Sequence, residues 1–309
     1  MKKSPFPRDQ HLTAIAIAYR NPDVELIADS ILPRVPVGNR EFKWFEYDLA
    51  SHYTIPNTRV GRLSKVNRVE IQGEERTAAC EDFGIDIPLS NDDIRNAPKG
   101  VDPRDRAVSR ATDIVLLDRE VRTAQLVFNA DLYPDSNKET LSGSSQFTHA
   151  DSNPLKTLHD SLDKCLVRPN VVVFGQAAWS AFSMHAKVVA AGHGNSGTSG
   201  KVSRERAAEL LEVSEVLVGR SYLNIAKPGL TPVFERVWGP HVLAFYRDRT
   251  ADVSGGLTFG LTAVWGDRVA GSKEEDIGLH GGVMVRSGES VKELVVAKHA
   301  AFFLEDAAA

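Results

Sequence analysis

The chain has 309 residues, 42% of them hydrophobic and 25% charged, which leaves room for a sizeable core in one large or two ordinary domains of roughly 150 residues each. Its formal net charge of -4 supplies no global field for nucleic acid or an anionic membrane, so any partner must be recognised by local surface. No run approaches the roughly 18 apolar residues a spanning helix needs, and Cys80 and Cys165 stand alone, so two isolated buried thiols are expected rather than a disulfide.

Met1-Lys2-Lys3 followed by Leu12 to Tyr19 imitates a signal peptide, but Pro5, Pro7, Asp9, Gln10 and His11 interrupt it; an unprocessed soluble protein made in the cytoplasm is expected. Pro5, Pro7, Pro22, Pro33 and Pro36 favour extended backbone through residues 1–40. The apolar pieces between them, Leu12 to Tyr19 and Val24 to Leu32, have no obvious means of burial against each other. The expectation is an arm that packs on a neighbouring subunit. Residues 41–90 read as β-structure, opening on Phe42, Trp44, Phe45 and Tyr47. Val66 to Ile71 has the look of a solvated strand, and the stretch as a whole suggests a long protruding hairpin.

A long helix is predicted from Pro103 to Phe128. Asp102 suits the N-cap, Pro103 the first turn and Asp105 the positive end of the dipole. Ala107, Ala111, Ile114, Leu117, Val121, Ala124 and Phe128 form an apolar stripe, with Arg119 and Glu120 off it. At about 1.5 Å per residue the helix is roughly 40 Å long, which implies a molecule with a long axis. Residues 129–154 are turn-rich. A second helix starts at Pro154 with Leu155, Leu158, Leu162 and Cys165 on one face.

From there strands and helices alternate as in a compact α/β unit: a strand at Asn170 to Gly175, a helix at Gln176 to Val189, a helix at Ser203 to Val213 and a strand at Glu215 to Gly219. Strands follow at His241 to Tyr246 and Leu257 to Trp265. The tail reads as a closing hairpin, Val283 to Arg286 and Val291 to Leu304 about a Ser287-Gly288-Glu289 turn.

Chemistry is scarce. Gly192-His193-Gly194-Asn195-Ser196-Gly197 spells a dinucleotide fingerprint, but the preceding residues read as the end of a helix rather than a strand, so a glycine-rich surface loop is expected. The nine histidines form neither HExxH nor HxH, His149 and Asp151 sit among serines of turn composition, and the acidic clusters lack calcium-loop spacing. No catalytic residue, cofactor or metal is assigned. The basic residues of 59–68 alternate with apolar ones and suit a charged hairpin on another subunit at least as well as nucleic acid.

Taken in order, arm, charged hairpin, long helix and α/β unit resemble the tailed-phage major capsid proteins of the Hong Kong 97-like fold. The familiar passages are Tyr19-Arg20-Asn21-Pro22 through Ala28-Asp29 to Pro33-Arg34-Val35-Pro36-Val37-Gly38, then Tyr133-Pro134-Asp135-Ser136-Asn137-Lys138, Val216-Leu217-Val218-Gly219 and Val237-Trp238-Gly239-Pro240-His241-Val242-Leu243. The resemblance implies an α+β fold with an N-terminal arm (1–40), an extended loop (41–90), a peripheral domain (91–167 and 251–309) around the spine helix 103–128, and an axial domain (168–250). The C-terminal strands would return to the peripheral domain.

The implied function is self-assembly into the pentamers and hexamers of an icosahedral head around double-stranded DNA. Other implied partners are a separate scaffolding protein, a portal and a cement protein, with DNA contacted non-specifically and no membrane. Tyr19, Arg20, Trp44, Arg59, Arg62, Lys65 and Arg68 are the candidate intersubunit contacts. Some relatives cross-link a loop lysine to an asparagine; Lys65 lies in the loop, but no partner asparagine is identified. Deleting residues 1–35 is expected to leave soluble subunits that form no shells. A nanocompartment shell of the same fold and a nucleotide-binding enzyme using 192–197 are the alternatives.

Overall fold

A computed structural model of the protein describes residues 6–21, 25–47, 53–62, 64–66, 68, 73–193, 199–253 and 256–309. The N-terminal segment forms α1 (Gln10–Ala18), α2 (Ala28–Ile31) and β1 (Arg34–Val37). The Asp9 carboxylate caps α1, accepting from the His11 and Leu12 amides. Next come β2 (Glu41–Tyr47) and β3 (Gly73–Ala79), paired antiparallel, then β4 (Glu81–Ser90), α3 (Asn91–Arg95) and the long α4 (Pro103–Val127). Asp102 caps α4 as anticipated, and its 25 residues give about 37 Å at 1.5 Å each.

The rest comprises β5 (Lys138–Thr140), α5 (Pro154–Lys164), β6 (Val171–Gly175), α6 (Gln176–Met184), α7 (Ala186–His193), α8 (Arg204–Leu211), β7 (Glu215–Gly219), β8 (Tyr222–Asn224), β9 (Phe234–Arg236), β10 (Val242–Phe245), β11 (Gly260–Trp265), β12 (Val269–Glu275), β13 (Gly282–Val295) and β14 (Ala301–Glu305). Where one helix was expected from Gln176 to Val189, the chain breaks at His185. Its backbone is extended and its Nδ1 accepts the Lys187 amide at 3.3 Å, so the side chain caps a new helix instead of continuing the old one.

Two sheets carry the architecture. In the first, β13 pairs along one edge with β11 and then β12, and along the other with all of β4; β1 adds to β11 in parallel. Ser287-Gly288-Glu289 is therefore mid-strand, not the turn its composition suggested. Ser287 Oγ lies 2.8 Å from Thr112 Oγ1, Gly288 sits opposite Gly84, and Glu289 is held by arginines, so each residue finds its partner in tertiary structure. The second sheet has the order β5-β14-β10-β6-β7. Its interior strand β6 is buried at every position, as the run Val171-Val172-Val173-Phe174 predicts for a strand covered on both faces. The last strand, β14, pairs with β10 and β5, so it lies in this sheet and not with β11–β13.

The N-terminal segment departs most from expectation. Leu12 and Ala16 of α1 pack on Ala107, Val108, Ala270, Val283 and Val285, and Asp9 N donates to Ala270 O at 3.1 Å. Ile27, Ile31 and Leu32 are fully enclosed with Val127, Trp238, Phe245 and Phe259. The described part of residues 1–40 is thus folded back on its own chain rather than left for a neighbour; residues 1–5 and 22–24 lie outside the described residues. The reason is β11, whose free edge accepts β1 in parallel despite Pro36. Deleting residues 1–35 would consequently remove core, not merely an assembly contact.

Candidate assembly surfaces

Strand alternation decides the fate of the predicted contact residues on β2. Phe42 and Trp44 point inward to Cys80, Leu261 and Ala263, and Trp44 is only 8% exposed. Trp44 is therefore a core residue of its own chain, a correction to its reading as an intersubunit contact. Phe45, on the opposite face, is exposed instead. Beyond β2, Arg59, Arg62, Lys65 and Arg68 are all exposed, beside Tyr53, Ile55, Val60 and Val66, which present apolar surface to solvent. Of the strand expected at Val66 to Ile71, most residues lie outside the described ones; Val66 and Arg68 are not in a strand. Arg20 is exposed and donates to the Tyr19 carbonyl at 2.9 Å, while Tyr19 is half-buried.

A second exposed surface, unforeseen from the sequence, is the ribbon of β8 and β9 with the loop joining them. Ile225, Leu230, Val233 and Phe234 all stand in solvent there. Single exposed apolar residues need no explanation; a contiguous group does.

Behind the ribbon lies a buried polar junction on α4. The predicted stripe is half right: Ala107, Ala111 and Ala124 are buried, but Ile114, Leu117, Val121 and Phe128 are only half-buried. The deepest row is Val108, Thr112, Val115, Arg119, Thr123 and Val127, with Glu120 alongside. Glu120 accepts from the amides of Ile27 (3.1 Å) and Ala28 (2.8 Å) and from the Trp238 indole (2.7 Å). Burial nonetheless raises its pKa, since those donors offset only part of the lost hydration.

Arg119 pairs with Asp29 and donates to Thr262 Oγ1 at 3.0 Å. Glu289 receives Arg34 (2.9 Å) and Arg268 (3.0 Å). Burial pushes the Glu289 carboxyl up, but the three arginines Arg34, Arg268 and Arg119 outweigh it and hold the pKa below the ordinary value; Asp29 behaves likewise under Arg119 and Arg34. A cleft of about 790 Å³ opens over this network, yet the charges lining it already neutralise one another.

The remaining candidates for chemistry do not assemble. Gly192 and His193 end α7, so they face the negative end of a helix dipole, where a phosphate is repelled; Gly194 to Thr198 lie outside the described residues. Ser152 Oγ is 3.3 Å from His185 Nε2, but that nitrogen also faces the His149 carbonyl at 3.2 Å. It therefore carries the proton and cannot serve Ser152 as a base. Among the described residues no three His, Cys, Asp or Glu side chains gather as a metal site, and no helix is long and apolar enough to cross a membrane. Cys80 and Cys165 are free and buried; burial pushes the Cys165 thiol up to about 12.

No family model matches the chain. The major capsid protein of Pseudomonas phage JBD67, however, is 50% identical over 310 residues, covering 100% of both chains. This chain belongs to the phage major capsid protein family. Among solved structures, a phage-related protein from Bordetella bronchiseptica RB50 matches 98% of this chain and 99% of its own with a TM-score of 0.77 at 22% identity. The capsid of the cyanophage P-SCSP1u matches 93% and 90% with a TM-score of 0.54 at 9% identity. At such identities the likeness speaks for fold alone, and the fold is the Hong Kong 97-like one that the order of elements suggested. As a member of this family the chain is a structural component of the virion that assembles into capsid oligomers.

Proposed function

We propose that this chain forms the pentamers and hexamers of an icosahedral phage head enclosing double-stranded DNA, and that it has no catalytic role. The full-length 50% identity to a phage major capsid protein carries this reading. In physical support, the apolar surface of Tyr53, Ile55, Val60 and Val66 and that of residues 222–236 is left uncovered by a single copy. Residues 41–79 act as the extended loop, α4 as the spine of the peripheral domain and 168–250 as the bulk of the axial domain, to which β5 and β14 contribute strands. Tyr19, Arg20, Arg59, Arg62, Lys65 and Arg68 meet neighbouring copies. Assembly takes place in the host cytoplasm on a separate scaffolding protein, with a portal and a cement protein completing the head; DNA touches the inner surface non-specifically.

Each interface is modest, and closure of the shell adds them together. Size-exclusion chromatography with negative-stain microscopy tests the reading: megadalton icosahedral particles are expected, with DNA as their content when isolated from infected cells. Particles filled with a protein cargo and lacking DNA would contradict it.

A further inference from the structure

We infer that His241 is a pH-sensitive latch on the segment Asp306 to Ala308, holding it closed while the imidazole is neutral and freeing it in mild acid. The segment leaves β14 by a turn at Asp306, whose φ of 52° is a left-handed conformation that strains an L side chain unless its surroundings hold it. Asp306 N donates to His241 Nδ1 at 3.0 Å, and Gln146 Nε2 donates to Asp306 O at 3.0 Å. Beyond the turn, Phe147 N donates to Ala307 O at 2.7 Å and Ala308 N to Pro240 O at 3.3 Å. Ala307 and Ala308 are buried and close one end of the core that Leu141, Phe147, Val242 and Leu304 share. Of these partners only the imidazole titrates near neutral pH.

The ring is fixed in place. The Phe128 and Phe303 rings lie at 5.6 Å and 5.5 Å between centroids, and a Cβ at Gly239 would stand 2.7 Å from it. Accepting at Nδ1, the neutral ring carries its proton on Nε2. A second proton turns Nδ1 into a donor facing the Asp306 amide, which is thereby orphaned, while the cation is drawn to Asp306 Oδ1 at 3.6 Å. The turn then loses the contact that holds its strained residue. The charged groups bearing on the ring are Asp306 in the turn and Glu305 at the end of β14; the end of α4 presents Phe128 and β14 presents Phe303. Burial outweighs the two carboxylates and keeps the imidazole pKa below its ordinary 6.5. The latch's share of stability is therefore present above pH 6.5 and lost as pH falls through the lower folded value.

The test is hydrogen–deuterium exchange of the full chain at pH 7.5 and pH 5, corrected for the intrinsic pH dependence of exchange. It is read in peptides covering residues 301–309 and, as a reference, β6. The 301–309 peptide should exchange about threefold or more faster at pH 5, with β6 unchanged. His241→Asn, which sets a neutral acceptor oxygen near the place of Nδ1, should keep the peptide protected at both pH values. Asp306→Asn, which suits the turn but removes a carboxylate that favours the imidazolium, should move the opening to lower pH. Equal protection of the wild type at both pH values, opening shared with β6, acceleration in His241→Asn, or an unmoved midpoint in Asp306→Asn would overturn the inference. The Asp306→Asn arm decides the matter even where His241→Asn does not fold. None of these outcomes touches the capsid reading, whose own test is particle formation.

Discussion

Glu120 joins three parts of the chain that are far apart in sequence, through two amides of the N-terminal segment and the indole of Trp238. Removing it orphans three buried donors, each worth about 1–3 kcal/mol, so Glu120→Ala should lower unfolding stability by about 3 kcal/mol or more in urea denaturation. A loss below about 0.5 kcal/mol would mean that water replaces the carboxylate. The acids nearby respond to pH in opposite senses. The pKa values of Asp29 and Glu289 are depressed, so their contribution is present above the ordinary values of 3.8 and 4.5 and is lost as pH falls through the folded ones. The raised pKa of Glu120 contributes the other way, its share being present below 4.5 and lost as pH rises. Glu289→Gln should therefore be clearly less stable than wild type near pH 7, with the difference narrowing toward pH 3 as the wild type loses the ionised partner of Arg34 and Arg268 that the variant already lacks. A constant difference across that range would contradict the assignment. Both thiols should resist a disulfide-exchange reagent in the native protein and react fully once it is unfolded, since burial raises the pKa of each and limits access.

At the scale of elements, α1 shows what a sequence pattern conceals. Leu12 and Ala16 are enclosed against α4 and the first sheet, and Leu12→Ala should cost about 2–5 kcal/mol by calorimetry or denaturant titration, as for other buried leucines. An effect near zero would return α1 to the role of a free arm. The start of α4 and the buried strand β6 were legible because their signals are local: Asp102 and Pro103 for the helix, an unbroken apolar run for the strand. The arm was misjudged because its partners, β11 and β12, come more than 200 residues later, and no local pattern announces them. Arg119 and Glu120 stood off the apolar stripe because a charged residue does not count as core in such a pattern, yet Val108, Thr112, Val115, Arg119, Thr123 and Val127 keep helical spacing as regularly as the stripe itself. Their partners, Asp29 and Trp238, stand 90 and 118 positions away. The β8–β9 ribbon escaped notice because Pro228, Gly229 and Pro232 make it read as a loop.

For the whole molecule the sequence order of elements was enough to suggest the fold, but the physical premise changes. Leu12, Ala16, Ile27, Ile31, Leu32, Phe42 and Trp44 are buried within one copy; the apolar surface that one copy leaves uncovered includes Tyr53, Ile55, Val60 and Val66 and the ribbon of 222–236. Replacing residues 53–68 by a short turn should leave a folded subunit, because the β2–β3 ladder and its packing on Leu261 remain, while shells no longer form. The most direct measurement is cryo-electron microscopy of the full chain produced together with the assembly proteins of its phage. The account predicts closed shells of fivefold and sixfold clusters in which residues 53–68 and 222–236 are covered by neighbouring copies. Shells in which both surfaces remain bare to solvent, or a protein that stays a single chain at every concentration, would contradict it.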